Sequence, residues 1–123
     1  MRSRVWTAVA LLAFGCALLP EAPAHAGYGA IAWDKQSGKA GWIWNQPTPR
    51  KAAEMALSEC GASGCRLVVK PTNGCAAMAA TADGKNIGAA ARKTQDEARL
   101  AALSNCQKLK AGDCVIKASD CNK

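Results

Sequence analysis

The chain has 123 residues and a formal net charge of +7, and reading residues 1–26 as a removable export signal leaves about 97 residues, 14 basic and 8 acidic groups and a charge of +6. That is one domain by length, and His25, the single histidine, leaves with the signal, so the mature chain holds no histidine for a catalytic triad, a His–Cys nucleophile or a multi-histidine zinc site. The large aliphatics that remain are three Val, four Ile and five Leu, with no Phe, a thin stock for a charged chain that must build a core from hydrophobes alone.

Met1-Arg2-Ser3-Arg4 is a basic start, Val5 to Leu19 an apolar run, Pro20 a helix breaker and Ala24-His25-Ala26 a small-residue ending. These are the three regions of a secretory signal, with cleavage expected between Ala26 and Gly27. The apolar run is too short to span a bilayer comfortably, and no other segment approaches the roughly 20 residues needed. A lipoprotein site at Cys16 is the alternative, although Phe14 suits it poorly and the chain stays apolar beyond the cysteine. Loss of Cys16 leaves six cysteines, an even number that fits disulfides in an oxidising compartment. The expected location is the periplasm or the exterior, with no transmembrane segment in the mature chain.

From Gly27 onward the order of elements is legible. Tyr28–Trp33 reads as a strand, Asp34 to Gly38 as a turn and Ala40–Trp44 as the hairpin partner. Thr48 is an N-cap with Pro49 at the first helical position. The helix runs to about Cys60 with Ala52, Met55, Ala56 and Cys60 on one face, and Gly61 ends it. Arg66–Lys70 is a β-branched strand stopped by Pro71, and Asn73-Gly74 turns the chain. Cys75–Ala82, the Asp83-Gly84 turn and a weak strand over Lys85–Ala91 follow. Thr94 to Glu97 forms a capping box opening a helix to about Lys110, and Cys114–Ala118 is the last strand.

This order repeats. Residues 38–60 placed over 84–106 match at eight of 23 ungapped positions, including Thr48/Thr94, Ala52/Ala98, Ala56/Ala102 and Cys60/Cys106. A three-residue insertion brings Cys65 onto Cys114, and Cys75 falls on Cys121. The expected fold is α+β, two duplicated ββα-β units (about 28–75 and 76–121) forming one antiparallel sheet with two helices on one face.

Six cysteines allow 15 pairings, and spacing does not choose among them. The duplication favours a symmetric pattern: Cys60–Cys65, Cys106–Cys114, and Cys75–Cys121 linking the halves. Zinc is disfavoured because no paired C-x2-C knuckles are present, and a thioredoxin-like centre because there is no C-x-x-C. No metal or cofactor is expected.

Trp33, Trp42 and Trp44 are the most conspicuous side chains. Trp42 and Trp44 share a strand face, and the trio is either core volume or an exposed aromatic platform. In the aligned repeat Gly88 and Ala90 stand opposite Trp42 and Trp44, so a platform would belong to one half. Arg50-Lys51 sits at a helix N-terminus, where cations are slightly unfavourable, and these two residues join the tryptophans as a candidate binding surface. The basic groups are otherwise dispersed, without a nucleic-acid signature. Among the acids Asp34 and Asp83 lie in turns and Asp96-Glu97 is explained by capping, so no catalytic set stands out.

Gly29-Ala30-Ile31-Ala32-Trp33, Gly41 to Asn45, Gly64-Cys65-Arg66-Leu67-Val68-Val69 and Asn73-Gly74-Cys75-Ala76-Ala77 together resemble the exported bacterial proteins of the domain of unknown function 4189 family. The second half fits less closely over Lys85–Ala91. The resemblance implies export and a small cysteine-bearing domain, and brings neither an activity nor catalytic residues. The expectation is a non-enzymatic binding module, inhibitor- or immunity-like, whose partner is an envelope protein or an anionic glycan or lipid surface. A structural envelope protein without a specific ligand is the alternative, and a small cell-wall hydrolase a more distant one.

Overall fold

The computed structural model describes residues 27–123; the expected export signal and Cys16 lie outside the described residues. Its elements are β1 (Tyr28–Trp33), β2 (Ala40–Gln46), α1 (Pro49–Cys60), β3 (Arg66–Thr72), β4 (Cys75–Ala80), β5 (Ile87–Arg92), α2 (Gln95–Gln107) and β6 (Val115–Cys121). Neither β1 nor β4 carries a charged residue, and apart from the half-buried Tyr28 every one of their residues is buried. A strand apolar on both faces needs a layer on each side, and that requirement organises the molecule.

β1 is the centre of one antiparallel three-stranded sheet, order β2-β1-β3, and β4 is the centre of a second, order β5-β4-β6. The α+β class and the two duplicated units therefore hold, with the same strand order in each. The single sheet with both helices on one face is corrected: there are two sheets, each with its own helix. Alternation along the central strands shows the layering. Ala30 and Ala32 pack on Ala52, Ala56 and Cys60 of α1, while Ile31 between them faces the other sheet. Ala77 and Ala79 pack on Ala98, Ala102 and Cys106 of α2, while Ala76 and Met78 face back towards Ile31. The sheets thus meet face to face, and the helices cover the two outer faces.

The thin aliphatic composition has a direct structural counterpart. Alanine on both helix and sheet lets the helix backbone lie almost on the strands. A Cβ on Gly41 would stand 2.6 Å from the Ala56 carbonyl oxygen, and one on Gly88 2.8 Å from the Asn105 carbonyl carbon. Each such layer buries little apolar area per residue, so less of the fold rests on the hydrophobic effect. Disulfides supply the rest. Cys60–Cys65 and Cys106–Cys114 each join a helix end to the segment that follows, and Cys75–Cys121 joins β4 to β6.

That third bridge follows the favoured pairing but does another job. Cys75 opens β4 and Cys121 closes β6, directly opposite each other in the second sheet, so the bond closes one unit instead of joining two. The units divide between Thr72 and Cys75, and the structural match of Cys75 is Tyr28, the first residue of β1.

The helix N-termini follow the sequence, and α1 ends at Cys60 as expected, while α2 ends at Gln107, short of the expected Lys110. Thr48 accepts the Lys51 N–H at 3.1 Å and Thr94 accepts that of Glu97 at 3.2 Å. Gly61 closes α1 at φ 72° with its N–H on the Leu57 carbonyl. Pro71 does not stop β3, which runs on to Thr72. β3 is an edge strand, where a missing N–H costs no ladder bond.

Candidate functional site

Trp33, Trp42 and Trp44 all lie on the faces of β1 and β2 turned towards the second sheet. Trp42 stands opposite Ile31 in the register, and Ile31 is in the inter-sheet core. From that common face the three diverge. Trp33 is buried, and its indole Nε1–H donates to the Gly84 carbonyl at 2.6 Å, tying the first unit to the turn of the second. Trp44 is half-buried against the inter-sheet core. Trp42, on the edge strand, is 38% exposed. The question of core or platform therefore splits by residue: Trp33 and Trp44 are core volume, and Trp42 presents its ring to solvent.

Trp42 is one wall of a cleft of about 250 Å³ between the sheets. Ala40, Met78 and Ala80 give it an apolar lining, and Asp83, Gly84 and Lys117 supply its polar groups. Two turns close one end. Asp34 accepts the Gln36 and Ser37 N–H groups and the Ser37 hydroxyl, the last at 2.7 Å. Asp83 accepts the Thr81 hydroxyl at 2.8 Å and the Lys85 N–H at 2.9 Å. The turns touch through Gly38 and Gly84, both at positive φ, with the Gly38 carbonyl oxygen 2.6 Å from where a Gly84 Cβ would be.

Both carboxyls are held below the usual carboxylate range. For Asp34 the principal cause is the Ser37 hydroxyl, with the Gln36 and Ser37 N–H groups and Lys39 adding to it against partial burial. For Asp83 it is the Lys85 N–H, then the Thr81 hydroxyl. Neither is poised as a general acid, which requires a raised pKa.

Arg50 and Lys51 are not part of this cleft. They open α1, which covers the opposite face of the first sheet, and Arg50 reaches along its own helix to Glu54 at 3.0 Å. At 89% side-chain exposure for Arg50 this pair contributes little. All six described cysteines are in disulfides, which leaves none of them a free thiolate for metal or nucleophile.

The repeat alignment misplaces the match of the tryptophans. Trp42 pairs with Ile31, and in the second sheet Ala89 pairs with Met78. The counterpart of Trp42 is thus Ala89, and that of Trp44 is Ala91, one residue beyond the Gly88 and Ala90 expected. An irregular register where β2 meets the start of β1, with Asn45 at φ 61°, absorbs the extra residue before the helix. Lys117 was missed because it looks like one more dispersed lysine. Its signal lies in the repeat: it is the residue skipped by the bulge opposite Met78 and Ala79, as Val68 is skipped opposite Ile31 and Ala32.

A pattern described as a domain of unknown function, DUF4189, matches residues 28–121. The chain belongs to that family. This confirms the resemblance carried by the Gly-Ala-Ile-Ala strand and the Gly-Cys-Arg strand. The uncharacterized protein Rv1813c of Mycobacterium tuberculosis and an uncharacterized protein of Mycobacterium bovis are each 44% identical to this chain over 52 residues. That match covers 42% of this chain and 35% of either relative, so it spans about a third of the length of these curated relatives. The NMR structure of Rv1813c superposes with a TM-score of 0.62 at 28% identity, over 98% of this chain and 100% of that one. The DUF4189 description attaches no activity to the fold. The three disulfides place the domain in an oxidising environment. Among the described residues no helix is long and apolar enough to cross a membrane.

Proposed function

We propose that this chain is an exported, non-enzymatic binding module that acts through the Trp42 cleft. The carrying observation is that cleft. In a molecule whose central strands are buried on both faces, one large aromatic ring is left 38% exposed at the mouth of a concavity. Exposed aromatic surface beside convergent polar groups is the usual make-up of a recognition site. Asp83 is engaged by its own turn and is the one carboxylate lining the cleft among the described residues, which favours binding over hydrolysis by a carboxylate pair. Cleavage before Gly27 would release the domain into the periplasm or the exterior, where an envelope component is the partner.

Trp33 and Trp44 support the alternative of a purely structural protein, since both are used inside the fold. Affinity capture from envelope extract with the oxidised protein, alongside a Trp42→Ala variant, decides between the two. One partner lost with the variant supports the module. Identical captures by both baits, or none by either at low and moderate salt, overturn it. N-terminal sequencing of the exported protein tests the location, with Gly27 the expected first residue.

A further inference from the structure

The two units are related by an internal repeat, and that relation breaks at the cleft. On the flank where β3 meets β5, Val68 and Ala89 are half-buried against the inter-sheet core. On the matching flank, where β2 meets β6, their counterparts are Lys117 and Trp42, and both line the cleft. The same backbone frame therefore carries two small aliphatic groups at one seam and, at the other, two long side chains that line a cleft. The two substitutions that make the difference are an aromatic ring and a cation.

We infer that this cleft is a subsite for one ring of an acidic saccharide, with the apolar face of the ring on Trp42 and its carboxylate on Lys117. This rests on the reading of the cleft as the binding surface and names the ligand class. Size comes first: about 250 Å³ is below the roughly 300–1,000 Å³ of drug-sized sites, which suits a single ring of a polymer. The chemistry of the lining comes second. Trp42 offers a flat apolar wall, and Lys117 makes no ion pair among the described residues. A carboxylate can accept about four hydrogen bonds, and Asp83 uses two of them on Thr81 and Lys85, so it retains capacity for ligand hydroxyls. A uronic ring uses all three groups at once. An acidic peptide would satisfy Lys117, and its N–H groups would suit Asp83, but an aspartyl or glutamyl side chain has no ring face to lay on Trp42; an acyl chain offers nothing to Lys117. The excess of basic over acidic groups draws a polyanionic glycan to the surface.

The test uses the oxidised protein with trigalacturonate and its neutral methyl ester as probes, followed by tryptophan fluorescence and by the indole N–H signals in NMR. The expected result is saturable binding of the acid that shifts the Trp42 indole signal. Trp42→Ala should weaken it by about tenfold or more, with Trp42→Phe recovering part of the loss. Lys117→Gln should bring acid and ester to equal affinity, and Arg50→Ala/Lys51→Ala should bind as the parent does. The melting temperature of each variant establishes that it is folded. Equal binding of acid and ester by the parent protein, or binding unaffected by Trp42→Ala, overturns the inference. If trigalacturonate does not bind while a Trp42-dependent partner is captured from envelope extract, the saccharide assignment falls and the binding module stands. If neither depends on Trp42, both fall.

Discussion

Asn122 accepts the backbone N–H of Asn45 at 2.9 Å, joining residues 77 positions apart. Its amide nitrogen donates to the carbonyls of Thr72 and Gly74 at 3.0 and 2.9 Å, and it is 1% exposed. One side chain from the end of the second unit thus holds the bulged strand and the crossover of the first. With Cys75–Cys121 confined to the second sheet, this polar clip takes the linking part that the third disulfide was expected to play.

Replacing Asn122 with Ala should therefore be costly. It takes the side-chain partner from the Asn45 N–H and the Thr72 carbonyl, while the Gly74 carbonyl keeps the backbone N–H of residue 122, at roughly 1–3 kcal/mol for each buried group left unsatisfied. Partial solvation brings the total to about 2–4 kcal/mol, a fall of about 10–20 °C in melting temperature for a domain of this size. Asn122→Asp should be worse, since it keeps the acceptor but sets a charge against two carbonyls. Melting curves of the oxidised variants check both. A fall of under about 4 °C for Asn122→Ala would remove the clip from the account.

Gly41 and Gly88 make a second prediction. A methyl group at either collides with helix backbone, which cannot swing away as a side chain would. Ala at either position should cost about 2–3 kcal/mol through overpacking. Gly61→Ala is the contrast: its surroundings are open, with the nearest atom 3.8 Å away, so the penalty is the left-handed backbone alone, about 1–2 kcal/mol. Denaturant midpoints that rank Gly61→Ala below Gly41→Ala would contradict the close helix–strand packing.

These glycines also show what was legible. Caps at Thr48 and Thr94, the stop at Gly61 and the strand cores follow from local chemistry, which the residues carry themselves. The two-sheet layering was in principle readable too, because Tyr28–Trp33 and Cys75–Ala80 lack polar alternation, the sign of a strand covered on both sides. The bulges at Asn45, Val68 and Lys117 carry no such local sign, since one extra residue in a strand looks like any other. They shift the repeat register and so hid the match of Trp42 to Ala89. Asn122 was equally opaque, because its partners come from two distant segments.

The disulfides should rank by the loop each closes. On the chain-entropy relation Cys75–Cys121, at a separation of 46 residues, is worth about 4 kcal/mol, and Cys60–Cys65, at a separation of 5, about 2 kcal/mol. Paired Cys→Ala replacement should follow that order in urea. Complete reduction should unfold the protein at room temperature, because the alanine layers bury too little area to hold it alone. A reduced form that still melts cooperatively within a few degrees of the oxidised one would show a core stronger than this.

Acid should loosen the two turns together. Asp34 and Asp83 are held below the ordinary value of 3.8 in the folded state, so the unfolded chain takes up protons that the folded one does not. Their contribution is therefore complete above about pH 4 and is lost as pH falls through the folded values. Asp34→Asn and Asp83→Asn should each flatten the decline in melting temperature between neutral and acid pH. Parallel pH curves for the parent and both variants would show that the turns take no part in it.

The tryptophans give the last and sharpest contrast. Trp33 fills the inter-sheet space and donates to Gly84, so Trp33→Ala should cost about 3–5 kcal/mol, and Trp33→Phe should cost less, losing the hydrogen bond and some volume. Trp42, partly in water at the cleft, should cost about 1–2 kcal/mol when replaced by Ala, less than Trp33 because only part of its surface is covered. Urea denaturation of the three variants measures this directly. Stability spent at Trp33 and spared at Trp42 is what the proposed binding ring on a structural hairpin requires. Equal losses at the two positions would return Trp42 to the core and close the cleft as a candidate site.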